Sequence, residues 1–335
     1  MIGIGVVGYG YWGPNLVRNF AMTEGASIAA VCDGNPARRA TAQRLYPAIS
    51  VYADLDEMLA DPKVDAVIIA TPVTTHFALA LTALRAGRHV LVEKPMTATV
   101  QEATILIDEA QSRGLVLMVD HTFVYTSAVR KIAELVTSGD LGRLHYYDSV
   151  RVNLGLFQSD VNVVWDLAVH DLSIMDHLLQ RSPVTISATG MAHAHGQPEN
   201  MAYITCYFDD DFIGHFHVNW LAPVKLRQTL ICGSDKMIVY DDIEMSEKVK
   251  VYDKGIILDD QATSVQQRHV GYRTGDMWAP RIDNVEALAI EAAHFLACID
   301  GNEQPMTGGD AGLRVVRILE AATASLADRG RPVDL

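Results

Sequence analysis

Cysteine is scarce in this chain and what there is lies scattered. Cys32, Cys206, Cys232 and Cys298 stand far apart and make no C-x-x-C pair. The expectation is four buried, reduced thiols in a cytoplasmic protein. No apolar run is long enough to cross a bilayer, so no membrane role is expected. The first residues already read as a strand, with no basic segment ahead of an apolar stretch, so no secretion signal is expected either. Positive charge is in deficit. Twenty-seven Lys and Arg face 41 Asp and Glu, a net −14, which argues against nucleic acid and anionic membranes as partners. A local basic pocket for a phosphorylated ligand stays compatible with that charge. Internal repeats, low-complexity segments and a flexible linker are also missing.

What is there begins at the N-terminus. A chain of 335 residues, 49% hydrophobic and 20% charged, suits two domains with ample core material. The apolar run 2–7 leads into Gly8-Tyr9-Gly10-Tyr11-Trp12-Gly13 and then into a helical pattern over 14–22. Strand, G-x-G-x-x-G and helix in that order are what a dinucleotide site requires. Gly8 allows a tight turn, Gly10 lets a pyrophosphate approach the backbone, and Gly13 lets the helix pack on the strand. The helix N-terminus then offers its unpaired N–H groups to the phosphates.

Up to about residue 120 short apolar runs alternate with helical stretches. Strands are expected at 2–7, 27–32, 66–70, 89–92 and 116–119, with helices at 14–22, 36–45, 54–60, 76–86 and 100–113. The runs are nearly continuous in Val and Ile, as in strands buried on both faces, and the alternation predicts a doubly wound parallel sheet. After about residue 123 the texture changes. A helix is expected over 128–138, then alternating segments at 144–152, 185–191, 201–208, 212–220, 226–232 and 237–241, and closing helices at 284–300 and 309–328. The second part reads as a largely antiparallel sheet with helices. The domains predicted are 1–122, binding the dinucleotide, and 123–335, serving substrate and oligomerisation.

Several residues could carry chemistry. Asp33 ends the second strand, where a carboxylate accepts from ribose hydroxyls and repels a 2′-phosphate, favouring NAD over NADP. Arg38 and Arg39 lie nearby and could hold such a phosphate, so NADP stays open as the lesser alternative. Thr71-Pro72, with His76 at the start of the next helix, and Glu93-Lys94-Pro95 both follow parallel strands and should face the cofactor. A Pro turn with a Thr cap, or a surface Lys–Glu pair, would give the same spacing. Lys94 could relay protons or stabilise a developing alkoxide. Asp166 and His170 are four apart, so on a helix they share a face, and a carboxylate that orients an imidazole makes a general base. With Asp176 and His177 they could also be read as metal ligands, a weaker reading that is not adopted. Tyr11 and Trp12 would line the nicotinamide end. His121, Tyr125, Arg151, Asn153 and Trp165 are candidates for contacting substrate, and packing would explain each equally well.

Together these motifs resemble the glucose–fructose oxidoreductase/inositol dehydrogenase (Gfo/Idh/MocA) family over essentially the whole chain. The resemblance implies a Rossmann domain followed by an α/β domain with an open-faced, mostly antiparallel sheet that mediates homodimers or homotetramers. It also implies Lys94 as catalytic lysine, His170 as acid/base, and Asp166 as its partner or a substrate ligand. Residues 10–20, 164–171 and 233–242 are similar to nucleotide-sugar 3-dehydrogenases. These oxidise C3 of UDP-N-acetylglucosamine, or of its uronic acid, with NAD, and precede an aminotransferase in lipopolysaccharide biosynthesis. Val169 departs from that group, which more often has proline or glycine there. The expectation is an NAD-dependent dehydrogenase acting on a small-molecule, nucleotide-linked amino sugar. The alternatives are an inositol or free-sugar dehydrogenase, a sugar ketoreductase, or a non-catalytic dinucleotide-sensing regulator.

Overall fold

In the computed structural model, residues 1–155, 161–193, 197–258 and 270–335 are described. The chain divides into two compact units, Met1–Thr126 with Val285–Glu320 and Ser127–Asn284 with Ala321–Leu335.

In the first unit, β1 (Ile2–Val7), β2 (Ala26–Cys32), β3 (Ser50–Tyr52), β4 (Ala66–Ile69), β5 (His89–Glu93) and β6 (Leu117–Asp120) form a sheet ordered β3-β2-β1-β4-β5-β6. Every pair is parallel. The strands alternate with α1 (Gly13–Met22), α2 (Pro36–Leu45), α3 (Leu55–Leu59), α4 (Val73–Arg85) and α5 (Val100–Arg113). Strand order reverses between β1 and β4, the place where an open α/β sheet binds ligand at its carboxyl edge. The strands are apolar because helices cover both faces; Ile4, Val6, Ala66, Val67, Ile69 and Leu91 are fully buried. Strand β3 was not expected. Three residues on a sheet edge are too few for a periodic signal.

In the second unit, α6 (Ser127–Thr137) leads to β7 (Leu144–Leu154), and α7 (Val169–Leu179) follows a π-helical turn at Val164–Ala168. The strands that follow are β8 (Thr185–Met191), β9 (Met201–Tyr207), β10 (Ile213–Asn219), β11 (Leu221–Gly233), β12 (Met237–Asp241), β13 (Val249–Tyr252), β14 (Gly255–Leu258), β15 (Val270–Arg273), β16 (Met277–Trp278) and β17 (Val333–Asp334). Among the described residues the large sheet runs β16-β13-β12-β11-β7-β10-β9-β8-β17, and β14 pairs β15 separately. The large sheet is antiparallel except for the parallel pair β7 and β10. Burial alternates along β9 and β10. One face packs inward, while Tyr203, Tyr207 and Ile213 stand on the other at 39%, 43% and 38% exposure.

Helices α8 (Ala287–Ile299) and α9 (Gly309–Ala327) follow. The sequence reading put all of 123–335 in the second domain, but Val285–Glu320 belongs to the first unit. The reason is packing. Leu288, Ala292, Phe295, Leu296 and Cys298 join the core formed by Leu16, Val17 and Phe20 of α1, and Phe20 meets Phe295 edge to face. Glu286 at the head of α8 accepts from Arg18 at 2.5 and 3.0 Å and from Asn19 at 3.1 Å. The four cysteines are free, Cys232 being half-buried and the others buried. No helix among the described residues is long and apolar enough to cross a membrane.

Candidate active site

The glycine loop of the first unit is fixed by close backbone approach. Gly8 has φ +93°, and a Cβ there would fall 2.5 Å from the Ala70 carbonyl oxygen, so only glycine fits without strain. A Cβ on Gly13 would overlap the Gly8 carbonyl. Gly10 differs, since its nearest neighbour is the Arg38 guanidinium 3.5 Å from where a Cβ would sit. The loop enters α1 through Trp12 as N-cap, with proline in the first turn and no acidic residue there. The positive end of the helix dipole therefore has no competing anion in its first turn.

Asp33, 8% exposed, accepts from the Tyr9 amide at 2.7 Å and the Asn35 amide at 2.8 Å, one on each oxygen. It thus orders the loop while lone pairs remain for a ribose. Arg38 lies 3.6 Å from the same carboxylate and is half-exposed. Arg39 turns away from the carboxylate and donates to the Asp33 carbonyl at 2.6 Å.

Around this loop opens a cleft of about 670 Å³, within the ordinary range for a small-ligand site. The structure brings Gly8, Gly10, Tyr11, Trp12, Asp33, Arg38, Thr71, Pro72, Glu93 and Lys94 to its walls. Cys32, Asp54 and Leu79 also line it. Leu79 lies one helical turn after Thr75, the one periodic signal that could have found it. The set fits a dinucleotide, with a bare backbone at Gly10, donors at α1 and a carboxylate at Asp33. Lys94 sits beyond β5, its peptide to Pro95 is cis, and its amide donates to Glu93 Oε2 at 3.1 Å.

Four predicted contact residues prove to be packing groups. His76 is 1% exposed, and its ring nitrogens reach the Pro95 and Thr71 carbonyls, both at 2.8 Å. It ties the two loops together behind the cleft. Burial lowers its pKa, against the pull of those carbonyls. His121 is 2% exposed and holds its imidazole neutral, with a pKa brought down to about 4 by burial. Tyr125 is fully buried, with its hydroxyl 3.1 Å from Thr307 Oγ1. Arg151, 2% exposed, is taken up by a bidentate pair to Asp171 at 2.7 and 2.9 Å. His121 and Tyr125 follow a strand and Arg151 lies on one, while His76 is in the first turn of α4, so position near a strand's carboxyl end pointed to the crevice. The side chains of His76, Tyr125 and Arg151 instead turn to other protein groups, while the His121 ring nitrogens are buried with no hydrogen-bond partner among the described residues.

In the second unit the Asp166–His170 stretch is not one regular α-helix. Asn162 Oδ1 accepts from the Val164 and Trp165 amides at 3.1 and 3.3 Å and starts the π-turn that carries Asp166. Such turns are often found at functional sites. Asp166 Oδ2 accepts from Trp220 Nε1 at 3.0 Å, and Trp165 Nε1 donates to Thr323 at 2.8 Å. His170 is half-buried in the first turn of α7, and its carbonyl accepts from Ser173 at 2.7 Å. The Arg151–Asp171 pair and the Tyr147 hydroxyl, 3.3 Å from the Asp171 carbonyl, anchor that turn to β7. Asn153 is half-buried near the end of β7. Among the described residues no group of three His, Cys, Asp or Glu side chains is arranged to hold a metal.

Residues 2–121 match the family model described as "Oxidoreductase family, NAD-binding Rossmann fold", and residues 129–239 match "GFO/IDH/MocA C-terminal domain". A UDP-N-acetylglucosamine 3-dehydrogenase of Acidithiobacillus ferrooxidans is 29% identical over 313 residues, 93% of each chain. Its solved structure superposes with a TM-score of 0.83 at 27% identity, covering 98% of this chain and 99% of that one. An inositol 2-dehydrogenase of Saccharopolyspora erythraea is 34% identical over 190 residues, 55% of this chain and 56% of its own. A Bordetella pertussis dehydrogenase solved with NADH and UDP-GlcNAcA shares the fold, with a TM-score of 0.81 at 19% identity over 100% of this chain and 98% of that one.

Proposed function

The chain belongs to the Gfo/Idh/MocA oxidoreductases, and from that premise we propose that this NAD-binding enzyme oxidises C3 of a UDP-linked N-acetyl amino sugar to a ketone. The observation that carries the substrate is the match to the Acidithiobacillus enzyme along 93% of both chains. The residues supply the rest of the argument. When bound, the nicotinamide ring supplies the acceptor for the hydrogen leaving the sugar carbon. His170 takes the hydroxyl proton, with Asp166, held by Trp220, as its partner or as a substrate ligand. Lys94 stabilises or relays charge on the hydroxyl oxygen. Gly10 and the head of α1 receive the pyrophosphate, and Asp33 receives the adenosine ribose.

The test is NADH formation across a panel of UDP-sugars and free polyols. Turnover of UDP-N-acetylglucosamine or its uronic acid supports the proposal. Turnover of inositol or a free sugar alone would favour the second reading, an inositol-type dehydrogenase, which draws on the 34% identity over 55% of the chain. NAD binding without turnover on any sugar would favour a redox-sensing regulator. The reading extends to a cytoplasmic homo-oligomer that associates through the exposed face of β9 and β10. An aminotransferase consuming the 3-keto sugar would follow it.

A further inference from the structure

Three carboxyl groups from three separate stretches of the first unit meet behind the cleft. Glu93 ends β5, Asp120 ends β6, and the two are partners in the parallel register, so their side chains leave the sheet on one face. Glu291 comes from α8 and is 1% exposed. Glu93 and Glu291 both face Asp120.

Donors are shared unequally among them. Asp120 accepts from Trp12 Nε1 at 3.2 Å and, on its other oxygen, from the Thr122 hydroxyl. Glu93 receives the Lys94 amide on Oε2, while its Oε1 is sealed from solvent with no hydrogen-bond partner among the described residues. Both Glu291 oxygens are sealed in the same way. A carboxylate can only accept, so three anions here would repel one another in a poorly screening interior. A proton on Glu93 and another on Glu291 turn both into donors toward Asp120. One negative charge remains, on the group where Trp12 and Thr122 converge. Burial first, and then the charge of Asp120, push both glutamates above the usual range. The other titratable groups at the cluster are Lys94, His121 and Tyr125. His121 is kept neutral by burial, and burial together with Glu291 keeps the Tyr125 phenol protonated.

We propose that Glu93, Asp120 and Glu291 form a proton-sharing carboxyl cluster that holds Trp12 and the Glu93-Lys94 turn in place, with Glu291 as a positioning residue. Trp12, Glu93 and Lys94 all line the cleft, so the cluster braces two of its walls from behind. Its part in turnover rests on the sugar-oxidoreductase reading above; its protonation and its hold on the cofactor loop do not.

The test uses the full chain with Glu291→Gln, which keeps a donor and removes the titration, and Glu291→Leu, which removes both. A glutamate whose folded-state pKa is raised costs stability as pH climbs from its unfolded value, because the unfolded chain releases the proton first. The melting temperature of Glu291→Gln therefore gains on wild type between about pH 5 and pH 8. A variant that instead falls behind as pH rises means an ionised Glu291 and overturns the proposal. The infrared spectrum of wild type minus that of Glu291→Gln at neutral pH should show a carboxylic-acid C=O band from Glu291, with the Glu93 band common to both, and absence of that difference band also overturns it. NAD affinity, measured by calorimetry, falls on the order of tenfold in Glu291→Leu, the loss expected from one unsatisfied buried partner, and Gln rescues it. Equal affinity in wild type, Gln and Leu variants overturns the positioning role. None of these readouts needs a sugar, so a wrong substrate assignment leaves them intact.

Discussion

The glycine-loop cleft of the first unit is shaped mainly by main chain, the π-turn of the second by side chains braced by other side chains. At the cleft the deciding features are an absent Cβ at Gly10, amides at the head of α1, and loops held at fixed separation by Gly8 and His76. At the π-turn they are Asn162, Trp220 and the buried Arg151–Asp171 pair, which together fix Asp166 and His170. A surface made of backbone tolerates variation in its neighbours but not added bulk. A surface made of braced side chains tolerates bulk elsewhere but not the loss of one partner.

The largest effects should test whether the two regions divide binding from chemistry. Lys94→Ala and His170→Ala are expected to lower kcat by about a hundred- to ten-thousandfold, the usual worth of a general acid or base, while NAD still binds by calorimetry. Wild-type turnover in both would sink the assignment, and a matching collapse of NAD affinity in His170→Ala would erase the division. Next comes Asp171→Asn, which leaves Arg151 buried without its carboxylate. It should cost about 3–5 kcal/mol in urea unfolding, and the double change Arg151→Met/Asp171→Leu should recover most of that. Gly13→Ala is expected to cost about 1–3 kcal/mol, because the methyl meets the Gly8 carbonyl. NAD affinity should fall with it, and an unchanged melt would refute the close packing.

His121 gives a pH prediction of known sign. Its folded pKa of about 4 lies below the ordinary 6.5, so the unfolded chain takes up the proton first on acidification. Stability from neutral His121 is full above about pH 6.5 and drains away toward pH 4. Melting temperature should therefore fall less steeply over that range in His121→Gln than in wild type. Arg38→Ala is the smallest, about 0–1 kcal/mol, since the Asp33 pair is half-exposed. A larger loss would mean that Arg38 holds the glycine loop itself.

Main-chain features were the legible ones. The glycine loop, Asp33, Thr71-Pro72 and Glu93-Lys94 are local patterns whose backbone geometry follows from a few consecutive residues, and all of them reach the cleft. Tyr125 and Arg151 were misread because a residue's place along a strand says little about which distant group its side chain meets. Tyr125 meets Thr307 and Arg151 meets Asp171. Asp120, at the end of β6, and Glu291, on α8, gave no signal, because a buried carboxyl is indistinguishable in sequence from an exposed one. The β7–β10 parallel pair and the return of α8 depend on which apolar faces meet, which periodicity does not encode.

That return has a consequence for how the protein is made. The apolar side of α1, with Leu16, Val17 and Phe20, is covered by residues from α8, and all of 127–284 is translated between the two. During synthesis the nucleotide-binding half must wait, partly uncovered, while the ribosome produces the other half. A fragment ending at residue 122 would keep that surface exposed for good, so the motif at the start of the chain becomes a finished site only when nearly the last helix has emerged.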